Sequence, residues 1–420
     1  MIPKRYLVVC ATFLLSVLLY VDRVCVSTAK GQITHDLGLT DTQFGWVMSS
    51  FAIGYALFQT PSGMLADKLG ARKILTAIVA SWSIFTGLSA VAWNYGSMLV
   101  IRFLFGAGEA GAFPGMARTV YSWIPTQERG LVKGINFSGS RLGAAFALPV
   151  LGITVESLGW KLTFAILMVI GCGWSLAWWL WFRDDPSEHN GISAQELAYI
   201  RANRQGGAAP PVSGRLPLGH MFRSSSLWLM MTQYLFSNFT AFFCLTWLYP
   251  HIKGTYNLSA GGAGLYAMVP LLCGAAGNIF SGWLVDRIYA SGHRHLSRKL
   301  PAIAGFLLTA VGMIISVQQT SVGPAVFWLS VAVFGVDMIL SPSWSFCIDI
   351  GGQHAGQVSG TMNMAGNIGS AIIGPAFPFL LHLTGSADVF FYLIAVFSVL
   401  AALCWVVVDP SRKIAPPSPA

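Results

Sequence analysis

Seven ionisable side chains stand inside otherwise apolar stretches of this chain: Asp22, Arg23, Arg102, Glu109, Arg118, Arg141 and Asp337. An Arg or Asp at the centre of a lipid-spanning helix costs about 2.5 to 3.5 kcal/mol even on lenient scales, so each needs a partner or a task. Arginine stays charged at any relevant pH, and its planar fork grips a carboxylate through two parallel hydrogen bonds. A carboxylate beside it can be silenced by a proton, because burial and a neighbouring guanidinium pull its proton affinity in opposite directions. Such groups are the parts of a device that binds an organic anion and exchanges protons. The plainer alternative is a set of structural pairs that only hold helices together. That alternative is preferred for Arg118, whose head can reach the interface from near a helix end. No nucleophile and base accompany the acids, so an enzyme is not indicated.

The elements that carry these groups follow from composition. The chain has 420 residues, of which 55% are hydrophobic and only 10% charged, with a mean hydropathy of +0.63. Soluble proteins carry about 25% charged residues, so this surface must face lipid. The formal charge of +9 is spread between apolar runs and forms no basic face for nucleic acid. The seven cysteines fall in or beside apolar runs without a C-x-x-C pair, and no histidines show metal-ligand spacing, so no metal or cofactor is expected. Four tryptophans, Trp174, Trp178, Trp179 and Trp181, form an aromatic belt at one end of span six.

The reading is an all-α membrane protein of twelve transmembrane helices in two six-helix, pseudo-symmetric bundles. The N-terminal bundle covers 1–183, a linker with a short helix 184–225, the C-terminal bundle 226–409 and a tail 410–420. Within the linker, Ser193 and Glu196 have capping-box spacing, and Gly206 to Pro211 end the helix. With the N-terminus inside, eighteen Lys and Arg fall on the cytoplasmic side and three (Lys30, Lys161, Lys253) on the other. Both termini are therefore expected in the cytoplasm, with the protein in the plasma (inner) membrane. The halves also repeat: Gly63 to Lys68 recurs as Gly282 to Arg287, 219 positions later, and Gly134, Gly143 and Pro149 recur as Gly360, Gly369 and Pro375, each 226 positions later. Such ordered matches indicate a tandem duplication.

Depth then limits the pairings. Asp22 lies about 24 Å along span one from Tyr6, and Arg102 starts span four from the same outer side, so a lock between them is allowed. Glu109 is two turns deeper on the face of Arg102, within reach of Arg23. Arg141 enters span five from the inside to similar depth. Tyr20, one turn before Arg23, and Tyr55 in span two can offer hydroxyls to a polyol or serve packing alone. Asn363 and Asn367 share a helix face. Asp337, one turn from Ser341, faces the same space with an open role.

The segment Gly63-Met-Leu-Ala-Asp67-Lys68-Leu-Gly70-Ala-Arg72-Lys73 resembles the signature loop of the major facilitator superfamily. Tyr20-Val-Asp22-Arg23, Arg102 to Pro114, and Ser359 to Asn367 are similar to the anion:cation symporter family. The resemblance implies proton-driven import of a small organic anion, such as a hexuronate, aldonate or aldarate, by a monomer working through alternating access. The buried charges themselves lead us to expect proton coupling at Asp22 and Glu109 and an anion on Arg23, with Tyr20 and Tyr55 beside it; Ser341, Ser343, Trp344, Asn363 and Asn367 are similar to positions that contact substrate in the family, with hydrogen bonding between helices as the alternative for the two Asn. Asp67 and Arg72 are implied to form a charge latch between helices, with Asp286 and Arg287 as its weaker copy. Arg141 departs from the neutral polar residue of the family's sugar-acid transporters and hints at a second negative group or a differently placed carboxylate, as in an aldarate rather than an aldonate. An exporter or an anion exchanger, for other carboxylates or phosphorylated compounds, is the alternative on the same scaffold.

Overall fold

The computed structural model describes residues 3–204, 216–246, 248–258, 260–411 and 413–414. The expected helix terminator from Gly206 to Pro211 and most of the tail lie outside them. The first half contains α1 (Lys4–Thr28), α2 (Lys30–Leu37), α3 (Asp41–Leu69), α4 (Ala71–Ser89), α5 (Tyr95–Glu109), α6 (Ala112–Trp123), α7 (Arg129–Leu158) and α8 (Trp160–Trp181). The connecting helices are α9 (Ala194–Asn203) and α10 (Leu218–Met221). The second half contains α11 (Ser225–Thr246), α12 (Leu248–Thr255), α13 (Ala260–Ala290), α14 (Arg294–Val317), α15 (Val322–Met338), α16 (Leu340–Gly351), α17 (Ala355–Thr384) and α18 (Asp388–Val407). Taking α5 with α6 and α15 with α16 as broken spans gives twelve crossings.

Among the described residues, seven stretches are long and apolar enough to span a membrane on hydropathy alone, or eight if the bent helix α7 is counted as one span. α3 and α11 fall short because they bury polar side chains inside the bundle, Gln59, Thr60 and Ser62 on α3 and Gln233, Ser237 and Thr240 on α11, whereas α4 is short and opens on Arg72 and Lys73. The lipid-facing exterior stays apolar, as exposed Val91, Val150, Ile153, Val169, Leu383 and Val407 show.

The duplication is visible in the packing. In the first half α1 lies on α7, α3 on α5 and α4 on α8; in the second, α11 lies on α17, α13 on α15 and α14 on α18. The repeated glycines sit at matching crossings. A Cβ on Gly143 would meet the backbone of Val17 on α1, and one on Gly369 the backbone of Leu235 on α11. Gly134 and Gly360 do the same between halves, against Asn278 and Gln59.

Both termini lie on one face, here called the terminal face, and that face is shut. Asp67 at the end of α3 accepts the N–H groups of Gly356 (2.9 Å) and Gln357 (2.7 Å) at the start of α17. Asp286 at the end of α13 accepts those of Gly130 (2.9 Å) and Leu131 (2.7 Å) at the start of α7. A carboxylate at a helix N-terminus satisfies donors that have no partner within the helix and meets the positive end of its dipole. Two corrections follow. Arg72 does not join this latch: it donates to the Trp179 carbonyl (2.9 and 2.7 Å) and stacks on that indole, because Gly70 turns α4 away toward α8. Asp286 is an equal partner, not a weaker copy.

Around the latches, Arg129 and Arg298 share Asp349 (2.7 and 2.9 Å), and Arg118 donates to the Gln353 carbonyl (3.1 Å). Ser193 caps α9 as expected, but Glu196 does not complete the box. Its carboxylate accepts the N–H groups of Lys4 and Arg5 (2.9 Å each), capping α1 and tying the connecting helix to the first span.

A Cβ on Gly63 would strike the carbonyl of Gly356 where α3 crosses α17. Gly63→Val is therefore expected to hold the terminal face open and to raise maleimide labelling of buried Cys347 several-fold, in a variant retaining that single cysteine. Labelling as slow as in the parent protein would contradict this.

Candidate functional site

A narrow cavity lies between the two halves at mid-depth. The first half contributes Tyr20, Arg23, Tyr55, Phe113, Phe137, Ser140 and Arg141, and the second contributes Tyr234, Asn238, Asp337, Trp344, Asn363 and Asn367, among others. Apolar rings form much of its wall, while two guanidinium groups and several hydroxyls and amides supply orientation. That is the usual build of a small-molecule site.

Arg23 reaches from α1 to the end of α5. Its Nε donates to Glu109 Oε1 at 2.6 Å, and its Nη2 forms an ion pair with the same oxygen. Glu109 is fully buried, and its Oε2 has no hydrogen-bond partner among the described residues. The guanidinium is wrapped by the rings of Tyr55, Tyr20 and Phe51, at 4.5, 5.0 and 5.3 Å. Cation–π contacts of this kind stabilise a cation where water is scarce. Gly106, Gly108 and Gly111 explain why span four breaks beside Glu109: Gly106 lets α3 come close, and Gly111 leaves room for Ile78 and Ser62.

Asp22 and Arg102 share a level, yet no ion pair joins them among the described residues. Asp22 Oδ2 accepts the indole N–H of Trp82 at 3.0 Å, and Oδ1 has no partner. Arg102 lies over the rings of Phe105 (4.2 Å) and Phe51 (5.3 Å), near enough for its charge to act on Asp22. The expected lock is replaced because Trp82 on α4 fills the space beside Asp22. Both groups are sealed from the cavity, with 1% exposure each.

Arg141 and Asp337 make a bidentate pair, Nε to Oδ2 at 2.9 Å and Nη2 to Oδ1 at 2.7 Å, across the two halves. Sequence spacing gave no sign of this partnership. Trp344 lines the cavity and donates to the Tyr234 hydroxyl at 2.8 Å; Tyr234 itself was missed because an aromatic in an apolar helix looks like packing. Asn363 donates to Gln59 Oε1 across the halves at 2.7 Å, and Asn367 to the Asn363 carbonyl at 2.8 Å. Ser341 and Ser343 lie outside the cavity. Ser341 faces the Asn278 carbonyl (3.5 Å), and Ser343 accepts from Gln233 (3.2 Å), because the break at Ile339 resets the phase of α16.

Twelve crossings in two related halves around a central polar cavity define an integral membrane transporter. Residues 12–374 match the family described as Major Facilitator Superfamily, and the chain belongs to it. It is 32% identical over 413 residues to a probable sulfoacetate transporter of Cupriavidus necator, covering 97% of this chain and 95% of that one. It is 30% identical over 402 residues to the hexuronate transporter of Bacillus subtilis, covering 94% and 93%. Among solved structures, the proton:xylose symporter XylE superposes with a TM-score of 0.75 at 16% identity, covering 97% of this chain and 96% of that one.

Removing the indole donor with Trp82→Phe leaves Asp22 buried without its hydrogen bond, expected to cost about 1–3 kcal/mol of stability. Melting in detergent should fall accordingly, and adding Asp22→Asn should recover part of the loss. Unchanged melting in Trp82→Phe would show that Trp82 does not hold the carboxylate.

Proposed function

We propose that this chain is a proton-coupled symporter that imports a small organic anion, a sugar acid such as a hexuronate, aldonate or aldarate, by alternating access. The observation that carries this reading is Arg23 on the cavity wall, paired with the fully buried Glu109 behind it. A substrate carboxylate can take the guanidinium fork only when Glu109 gives it up, and a proton on Glu109 achieves that. Substrate and proton then enter together, because either alone leaves a buried charge without a partner. Asp22 is the second proton site in this scheme. It lies behind Arg102 and holds its charge through Trp82, so its protonation loosens the contact between α1 and α4 and not the substrate anchor.

Tyr20, Tyr55, Asn363 and Asn367 supply hydroxyl and amide groups for the polyol chain of such a substrate. The Lys and Arg bias puts the terminal face in the cytoplasm. Among the described residues, the hydrogen bonds between the halves run from mid-depth to that face, which supports entry to the cavity from the opposite side in this scheme. Loading from outside, closing above the cavity and releasing the two carboxylate latches would deliver the anion inward. The relatives named for sulfoacetate and hexuronate support an organic anion as the cargo.

In proteoliposomes, Glu109→Gln is expected to retain anion exchange while losing accumulation driven by an imposed pH gradient. Undiminished proton-driven uptake would remove Glu109 from the scheme. Arg23→Lys should lose most transport, at least tenfold, although the charge is kept, because a point cation cannot form the two-pronged contact. Uptake close to that of the parent protein would show that the fork is not the anchor.

A further inference from the structure

Span ten repeats the construction of span four. α5 ends on Glu109, and α15 ends one residue after Asp337; the two acids are 228 positions apart, close to the offset of the repeats. Each acid holds an arginine at the central cavity, and both arginines come from the first half. The difference lies in what the pairs join. Arg23 and Glu109 stay within one half, whereas Arg141 and Asp337 bridge the two.

The bridging pair occupies the substrate's own space. Asp337 uses both prongs of the Arg141 fork, and both side chains line the cavity that Arg23 lines. Asp337 is sealed, with 1% of its side chain exposed, while Arg141 keeps 10% open. α13 is shaped to receive the acid: a Cβ on Gly274 would collide with the Asp337 carboxylate. Breaking such a pair without replacing a partner leaves a buried charge uncompensated, so Arg141 accepts a new anion only as an exchange.

We propose that Arg23 and Arg141 are two anchors for a small organic dianion, and that Asp337 is the resident counter-ion which the second anionic group displaces. This deepens the organic-anion reading above and rests on it. A monoanion satisfies Arg23 and leaves the clasp between the halves closed. A dianion engages both forks and transfers Arg141 from the second half to the substrate. The displaced carboxylate is neutralised by a proton that enters with the second anionic group, and the Ser140 hydroxyl, which has no hydrogen-bond partner among the described residues, and Ser237 line the same cavity to hydrogen-bond the neutral acid. One act therefore selects the substrate by its second charge and removes a bond that joins the halves at mid-depth.

The test compares matched acids as competitors for binding to the purified protein and for uptake into proteoliposomes: galactarate against galactonate, and sulfoacetate against acetate. The expected result is that the dianion wins in at least one pair. That preference should fall at least tenfold, about 1.4 kcal/mol, in the double variant Arg141→Gln with Asp337→Asn, whose two amides can still hydrogen-bond across the halves. Tryptophan fluorescence on binding, reporting Trp344 in the cavity wall, verifies that the variant is folded and retains a site. A parent protein that favours the monoanion in both pairs, or a dianion preference unchanged in the double variant, overturns the two-anchor assignment while leaving the organic-anion reading standing. A parent protein that binds and carries none of the four acids, nor a hexuronate such as glucuronate included as a fifth arm, overturns both.

Discussion

A charge buried in a membrane protein cannot be left alone, and that constraint organises the centre of this molecule. Arg23 stands among three aromatic rings with a fully buried glutamate as its partner. Neither member can leave without the other being compensated, since a buried ion without a partner costs several kcal/mol. A proton on the acid and an anion on the arginine are the two compensations that chemistry offers. In the proposed scheme, coupling follows from electrostatics in a largely buried site and needs no further moving part at the point of binding. The aromatic wrapping matters as much as the charge, because it keeps out the water that would otherwise solvate the separated ions.

The rest of the fold puts that site between two halves, which part in the proposed transport cycle. The duplicated chain supplies the same device twice on the terminal face: a carboxylate at the end of one helix received by two N–H groups at the start of a helix from the other half. Such latches differ from surface ion pairs. Their acceptors are directed and their donors are fixed by the backbone, so they form at one geometry or not at all. Small residues at the same crossings, Gly63 against Gly356 and Gly130 against Gly282, make the approach close enough for the carboxylates to reach. Closure of that face thus depends on backbone contact, with little side-chain entropy to lose on closing.

The sequence showed much of this for definite physical reasons. Charged residues in apolar runs are conspicuous, and depth along a helix is arithmetic, so Arg23 and Glu109 could be matched before any coordinates. Helix number and the duplication followed from hydropathy and from glycines at repeated positions. What stayed hidden depended on rotation and on neutral partners. Asp22 was expected to meet Arg102 because both are charged and level, but the donor that it uses is an indole on another span, which carries no charge to mark it. Ser341 and Ser343 looked like cavity residues, yet the break at Ile339 turns them to Asn278 and Gln233. Tyr234 was invisible for the opposite reason, since its hydroxyl matters only through Trp344.

Arg141 and Asp337 were each noticed without being matched, and the reason is instructive. Positions in different halves are related only through the way the halves dock, which hydropathy does not encode. Yet the pair is where the duplication departs most usefully from symmetry. Had the second arginine come from the second half, each half would hold its own ion pair and the cavity would be bridged by neither. Because both arginines belong to the first half, one acid partner is local and the other is across the divide. On the proposed reading, the first pair reports the proton within one half, while the second reports whether the two halves are still joined. A single cavity would thereby combine recognition of charge with the mechanical state of the fold, using two arginines and two acids held at breaks in two related spans.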